Sequence, residues 1–160
     1  LPLEENVSNK TNPKVKLKHF MPYRLNNLSE RVSVALSRIY SDEFDISVAE
    51  WRILATLAEY PHLLAKEIGL QTHMDKVKVS RAVGTLDQKQ CLIKEKDMND
   101  SRAIRLALNA KGLTLYENIA HKALEWEKSL LAGLSGQQKK GLYELLGYLD
   151  ERVSAMTKKG

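Results

Sequence analysis

The chain has 160 residues, 43% of them hydrophobic, a single cysteine and a formal net charge of +5. That length fits one domain with its own core, and one thiol excludes an intramolecular disulfide and suits a reducing cytoplasm. No apolar run nears the ~18 residues of a bilayer span, no secretory signal opens the chain, and the positive balance favours a polyanionic partner. The chain begins at Leu1 rather than Met, so an artificial or processing boundary is expected there.

Residues 1–18 are polar, with Pro2, Pro13 and the cations Lys10, Lys14, Lys16 and Lys18. They read as a mobile arm, either inert or adding non-specific attraction to phosphate. Leu25, Leu28, Val32, Leu36 and Ile39 predict an amphipathic helix over about 20–43. Ser47 is placed to cap a second helix, with Trp51, Leu54, Leu57 and Ala58 facing inward and Pro61 ending it. Leu63 to Leu70 predicts the first helix of a helix-turn-helix, with Gly69 at its C-terminal end.

The segment from Thr72 to Val83 carries the most chemistry. On a helix, Val79, Ala82, Val83 and Leu86 form a core stripe. Val77, Ser80, Arg81 and Gly84 lie opposite, flanked by Lys76 and Lys78. Such a mixture suits a helix in the major groove of DNA. There Arg or Lys pairs with guanine, a Val methyl meets a thymine methyl, and Gly lets the backbone approach a phosphate. A plain solvated face is the alternative. Asp75 or Thr72 would cap the helix start.

Cys91–Lys96 and Arg102–Leu108 then read as two strands around the polar loop Asp97–Ser101. A helix followed by such a ribbon is a winged helix. Arg102 at the tip is placed to enter an A·T-rich minor groove, and Asp100 to fix an arginine side chain. Asn109 caps a helix from near Ala110 to about Leu131. Ser135 and Gln138 form a capping box for the last helix, along which Leu142, Leu145, Leu146, Leu149 and Val153 make an apolar stripe.

The expected fold is mainly α with a small β-wing, a winged helix-turn-helix core flanked by long N- and C-terminal helices. Its divisions are an arm at 1–18, a helical dimerisation region at 19–45 and 110–157, and the winged region at 46–109. Terminal helices longer than the core needs point to a two-fold dimer. That symmetry would set two recognition helices ~34–36 Å apart on a pseudopalindrome.

The block from Trp51 through Leu64-Ala65-Lys66-Glu67-Ile68-Gly69, Asp75-Lys76-Val77-Lys78-Val79-Ser80-Arg81, Leu92-Ile93, Asp100-Ser101-Arg102 and Asn109-Ala110-Lys111-Gly112 resembles the MarR family, over about residues 19–157. The resemblance implies a dimeric bacterial winged-helix regulator answering to small, often phenolic ligands. It places Lys76, Val77, Lys78, Ser80 and Arg81 at the major groove, and Asp100 and Arg102 on the wing. Met74 to Val83 is further similar to the branch that represses hydroxycinnamate and related aromatic-acid catabolism. The effector so implied is an aromatic acid or its coenzyme A thioester.

The resemblance also implies a ligand pocket drawn from His19, Tyr23, Arg24, Asn27, Ser29, Arg31 and Trp51. A cation or hydroxyl would hold the acid head there, and Trp51 would flank the ring. Ordinary ion pairs and a core Trp51 are the alternative. Two departures stand out. Cys91 occupies a position where many relatives have Gly, so that turn forgoes a glycine's positive φ or differs. Ser101 replaces the second wing arginine of many relatives.

Catalysis has no support: there is no Gly-rich phosphate loop, no His-Glu-x-x-His and no Gly-x-Ser-x-Gly, and Glu125 and Glu127 point to different helix faces. His19, His62, His73 and His121 lack metal-site spacing. Redox-sensing relatives carry a reactive Cys early in the first helix, so Cys91 reads as a small buried filler. No cofactor, metal or membrane is expected. The expected function is that of a cytoplasmic homodimeric repressor, bound to double-stranded DNA and released by its effector. The alternative is a helical protein–protein interaction module using the winged face without specific DNA binding.

Overall fold

A computed structural model describes residues 13–158. Lys10 and the rest of the expected arm up to residue 12 lie outside the described residues. The chain divides into two compact units, Leu1–Ala35 and Leu36–Gly160. The first unit holds a 3-10 turn, Leu17–His19, and the start of helix α1, which spans Met21–Phe44. After α1 come α2 (Val48–Glu59), β1 (Leu63–Leu64), α3 (Ala65–Thr72), α4 (Lys76–Gln88), β2 (Leu92–Lys96), β3 (Ile104–Leu108), α5 (Ala110–Leu130) and α6 (Gly136–Thr157).

Helix starts follow the capping residues. Ser47 accepts the Glu50 N–H at 3.2 Å, and the Glu50 carboxylate accepts the Ser47 N–H in return. That carboxylate is buried and meets Lys89 Nζ at 3.0 Å, which ties the start of α2 to the end of α4. Asn109 and Ser135 cap α5 and α6, and Gln138 completes the second box. Each side-chain oxygen satisfies an N–H that the helix itself leaves open.

The core of the second unit gathers Ile53, Leu54 and Leu57 of α2, Ile68 of α3, Val79, Ala82 and Leu86 of α4, Leu106 of β3 and Ile119 of α5. The three strands form an antiparallel sheet in the order β1-β3-β2, with Leu63 opposite Leu106 and Lys96 opposite Ile104. Two expectations are corrected here. Leu63 and Leu64 are a strand rather than the start of the next helix, because β3 offers them a backbone partner. Gly69 lies inside α3, where a Cβ would come within 3.1 Å of the Met74 carbonyl, and His73 takes the left-handed cap at φ 52°.

The turn after α4 shows how Cys91 manages without glycine. Gln90 carries the left-handed conformation, at φ 59°, and Cys91 follows it into the core. The Cys91 carbonyl accepts the Asn109 N–H at 3.1 Å, and Gly112 packs against the same carbonyl so closely that a Cβ there would collide with its oxygen. Two substitutions should therefore move stability in opposite directions. Gln90→Gly should raise Tm, since the left-handed region costs an L-residue about 1–2 kcal/mol. Gly112→Ala should lower it by the ~1–3 kcal/mol of an overpacked site or more. Thermal unfolding followed by circular dichroism reads both, and an unchanged Tm in Gly112→Ala would contradict the packing.

Candidate nucleic-acid interface

Helix α4 packs its apolar side on α2 and α3. Val79, Ala82 and Leu86 are buried and Val83 is half-buried, so the stripe read from the sequence is the stripe that packs. Asp75 caps the helix, its Oδ1 accepting the Lys78 N–H at 2.8 Å. Thr72 ends α3 instead, donating its hydroxyl to the Ile68 carbonyl at 2.7 Å. Lys76, Val77, Lys78, Ser80, Arg81 and Gly84 are all exposed, Val77 at 58%.

Several cations elsewhere are neutralised at close range, and those of this face are not. Lys89, Lys94, Arg105, Lys122 and Lys140 each meet a carboxylate. Among the described residues no carboxylate pairs with Lys76, Lys78, Arg81 or Arg102. These four cations are therefore free to meet anions from outside.

The wing is held from within. Asp97 is buried, and its Oδ1 accepts the N–H groups of Asn99 at 2.9 Å and Asp100 at 3.0 Å. Its Oδ2 takes the Arg105 Nε–H. The Asn99 N–H, the Arg105 guanidinium and the Asp100 N–H together hold the Asp97 carboxyl below the usual carboxylate range. Arg105 also donates to the His62 carbonyl at 2.7 Å and lies 3.5 Å from Glu67, so it joins the wing to β1 and α3. His62 Nδ1 meets Glu95 of β2 at 3.0 Å.

Sequence reasoning gave Asp100 the task of fixing an arginine side chain. In the structure the Asp100 carboxylate accepts the main-chain N–H of Arg102 at 3.0 Å, and Asp97 does that task for Arg105. Strand β3 starts at Ile104, so Arg102 sits in the exposed loop before it. No motif marks Asp97 or Arg105 in the sequence, though a charged residue inside an otherwise apolar strand is a signal for a buried partner.

The ligand residues fall into separate places. In the first unit, His19, Tyr23, Arg24, Asn27 and Arg31 line a cleft of about 740 Å³ with apolar neighbours that include Leu25 and Leu28. Ser29 is not among its lining residues. Trp51 belongs to the second unit, where its ring stacks on Tyr40 at 5.6 Å and on Tyr116 at 5.8 Å. Cys91 is buried, and that burial pushes its thiol above the ordinary value, away from a reactive thiolate.

Residues 44–103 match the model of the MarR family. The chain has the winged-helix fold of that family. A MarR/EmrR family transcriptional regulator from Acinetobacter sp. ADP1 superposes with a TM-score of 0.79 at 28% identity, covering 88% of this chain and 99% of its own. The PcaV transcriptional regulator from Streptomyces coelicolor, solved with its natural ligand, gives 0.70 at 18% identity, over 87% and 97% of the two chains. A MepR–DNA complex from S. aureus gives 0.72 at 18% identity, over 85% and 98%. No curated protein matches the chain. The MarR proteins so matched are transcription regulators rather than enzymes. No helix among the described residues is long and apolar enough to cross a membrane.

Strong acid should loosen the wing. A carboxyl held below its unfolded value stabilises the fold above that value and loses the contribution as pH falls through the lowered one. Asp97→Asn should therefore lower Tm at neutral pH, and its gap from wild type should close on acidification. A gap that persists unchanged down to acid unfolding would contradict the role given to Asp97.

Proposed function

We propose that this MarR-type protein is a transcriptional repressor that binds a pseudopalindromic operator as a homodimer. The observation that carries this reading is the face of α4. An aspartate-capped helix, its apolar stripe packed on the core, presents Lys76, Lys78 and Arg81 without acidic partners around an exposed Val77. Phosphates would neutralise the lysines, while Arg81 and Val77 read base edges. Arg102 enters the minor groove from the wing. Asp100, bound to the Arg102 main chain, shapes the loop that carries it.

Homodimerisation is supported by the uncovered apolar residues of the C-terminal helices. Leu145, Leu146, Val153 and Met156 of α6 are exposed, and so are Leu124 and Leu130 of α5. A second copy would bury them and set the spacing of two α4 helices. The effector is an aromatic acid of the hydroxycinnamate type or its coenzyme A thioester. Its binding residues are His19, Tyr23, Arg24, Asn27 and Arg31 of the N-terminal cleft. The cleft supports this class because it offers cations and a tyrosine beside apolar carbons. The effector acts by favouring an arrangement whose recognition helices no longer fit the half-sites, so DNA weakens effector binding by the same factor.

The test is fluorescence anisotropy on a palindromic duplex from the gene's own upstream region. It is run across a salt series with and without p-coumarate, ferulate and their thioesters. Steep salt dependence and release by one compound are expected. Arg81→Ala should cost about 1–3 kcal/mol and relax base preference. Equal loss on every sequence would make Arg81 a phosphate contact. A shallow salt dependence with no preference over random duplex would favour the protein-interaction module.

A further inference from the structure

We propose that Met98 is a DNA contact of the wing. Its side chain enters the minor groove beside Arg102 and adds a preference for A·T-rich, easily deformed flanks. The inference rests on the DNA-binding reading above and goes beyond it by giving the wing an apolar reader.

Met98 is 100% exposed. Looseness of the loop does not explain that exposure, because the chain around it is closely tied. The Asp97 carboxylate binds the next two N–H groups but one, those of Asn99 and Asp100, and also Arg105. The Asp97 N–H donates to the Ala103 carbonyl and the Ala103 N–H to the Asp100 carbonyl, both at 2.9 Å. A hydrogen-bonded tip thus holds a large apolar side chain entirely in water, where it adds nothing to the core.

Its neighbours fit one kind of surface. Asn99, Ser101 and Arg102 are exposed beside it, and Arg102 has no acidic partner among the described residues. Of the two loop carboxylates, Asp97 is buried against Arg105 and Asp100 turns an oxygen to the Arg102 N–H. A tip with a free cation and an apolar chain matches the minor groove, whose floor is negative and whose walls are deoxyribose C–H edges. Methionine is unbranched and flexible, so it fits a narrow slot, and apolar side chains of this kind wedge against base steps. Pyrimidine–purine steps yield most readily to such a wedge, which makes the contact sequence-dependent without a hydrogen bond.

The experiment uses the full chain and the same palindromic duplex in two forms, with TA-containing A·T flanks and with G·C flanks. Met98→Ala should lose about three- to tenfold in affinity on the A·T form, the loss expected for partial burial of one such side chain. It should lose little on the G·C form, with the slope of log K against log salt unchanged, since no ion is released. Met98→Leu should retain most of the affinity, and Arg102→Ala should flatten the slope. Wild-type affinity of Met98→Ala on both duplexes would overturn the proposal, as would an equal loss on both. A lowered Tm in Met98→Ala would also overturn it, since the side chain would then be packing rather than waiting for DNA. If the wild-type protein does not prefer either duplex over random DNA, the DNA-binding reading itself falls.

Discussion

The geometry of the wing depends on one ion pair, that of Arg105 with the buried carboxylate of Asp97. A two-stranded ribbon has little stability of its own in water. Here its far end is fastened by Asp97, which organises the tip through two main-chain N–H groups and hands its remaining oxygen to Arg105. Arg105 in turn reaches the His62 carbonyl and lies close to Glu67 of α3. The guanidinium suits this task because its donors radiate in a fixed plane and satisfy several acceptors at once. A lysine would offer a point charge with no such reach. The wing tip is therefore tied to the same framework that carries the helix-turn-helix.

Helix α4 solves a related problem with charge. Lys78 and Arg81 stand three residues apart on the exposed side, an arrangement that costs an isolated helix a few tenths of a kcal/mol. The buried stripe of Val79, Ala82 and Leu86 outweighs that cost, since each fully buried aliphatic side chain contributes about 1.5–3 kcal/mol. The core thus lets the opposite face keep cations that have no acidic partner among the described residues. Lys89 and Lys94, at the end of the helix and on β2, are paired with Glu50 and Asp87, so the free cations are concentrated at the start of the helix.

Local chemistry made much of this legible in the sequence. Ser47, Asp75, Asn109 and Ser135 mark helix starts because each satisfies an N–H three residues ahead, and the stripe on α4 follows from helical spacing alone. What escaped depends on partners far along the chain. Leu63 and Leu64 look like the first turn of a helix until Leu106 and Arg105 of β3 pair with them. Asp100 looks like the arginine anchor because it is nearer Arg102 in sequence, yet Asp97 holds Arg105 from eight residues away. Gln90 took the left-handed place that a glycine at position 91 would suggest, because Cys91 is needed in the core. A cleft in the first unit was likewise legible only as a set of residue types, and Ser29 is not among the residues that line it.

The C-terminal helices carry the argument from one chain to two. Helix α5 buries only Gly112 and Ile119, and the 22-residue α6 buries nothing among the described residues. A helix of that length gains most of its stability from packing an apolar face, since propensity alone leaves an isolated helix marginal in water. Leu145, Leu146 and Val153 of its apolar stripe stay exposed, while Leu142 and Leu149 are half-buried. On the homodimer reading, the second copy covers that stripe, and folding of α6 is then linked to association. On that reading, whatever reshapes the association also changes the spacing of the two α4 helices. On the same reading, an effector needs no contact with α4 to weaken DNA binding. It needs only to bind one dimer geometry better than the other, and its effect on the operator is bounded by that difference.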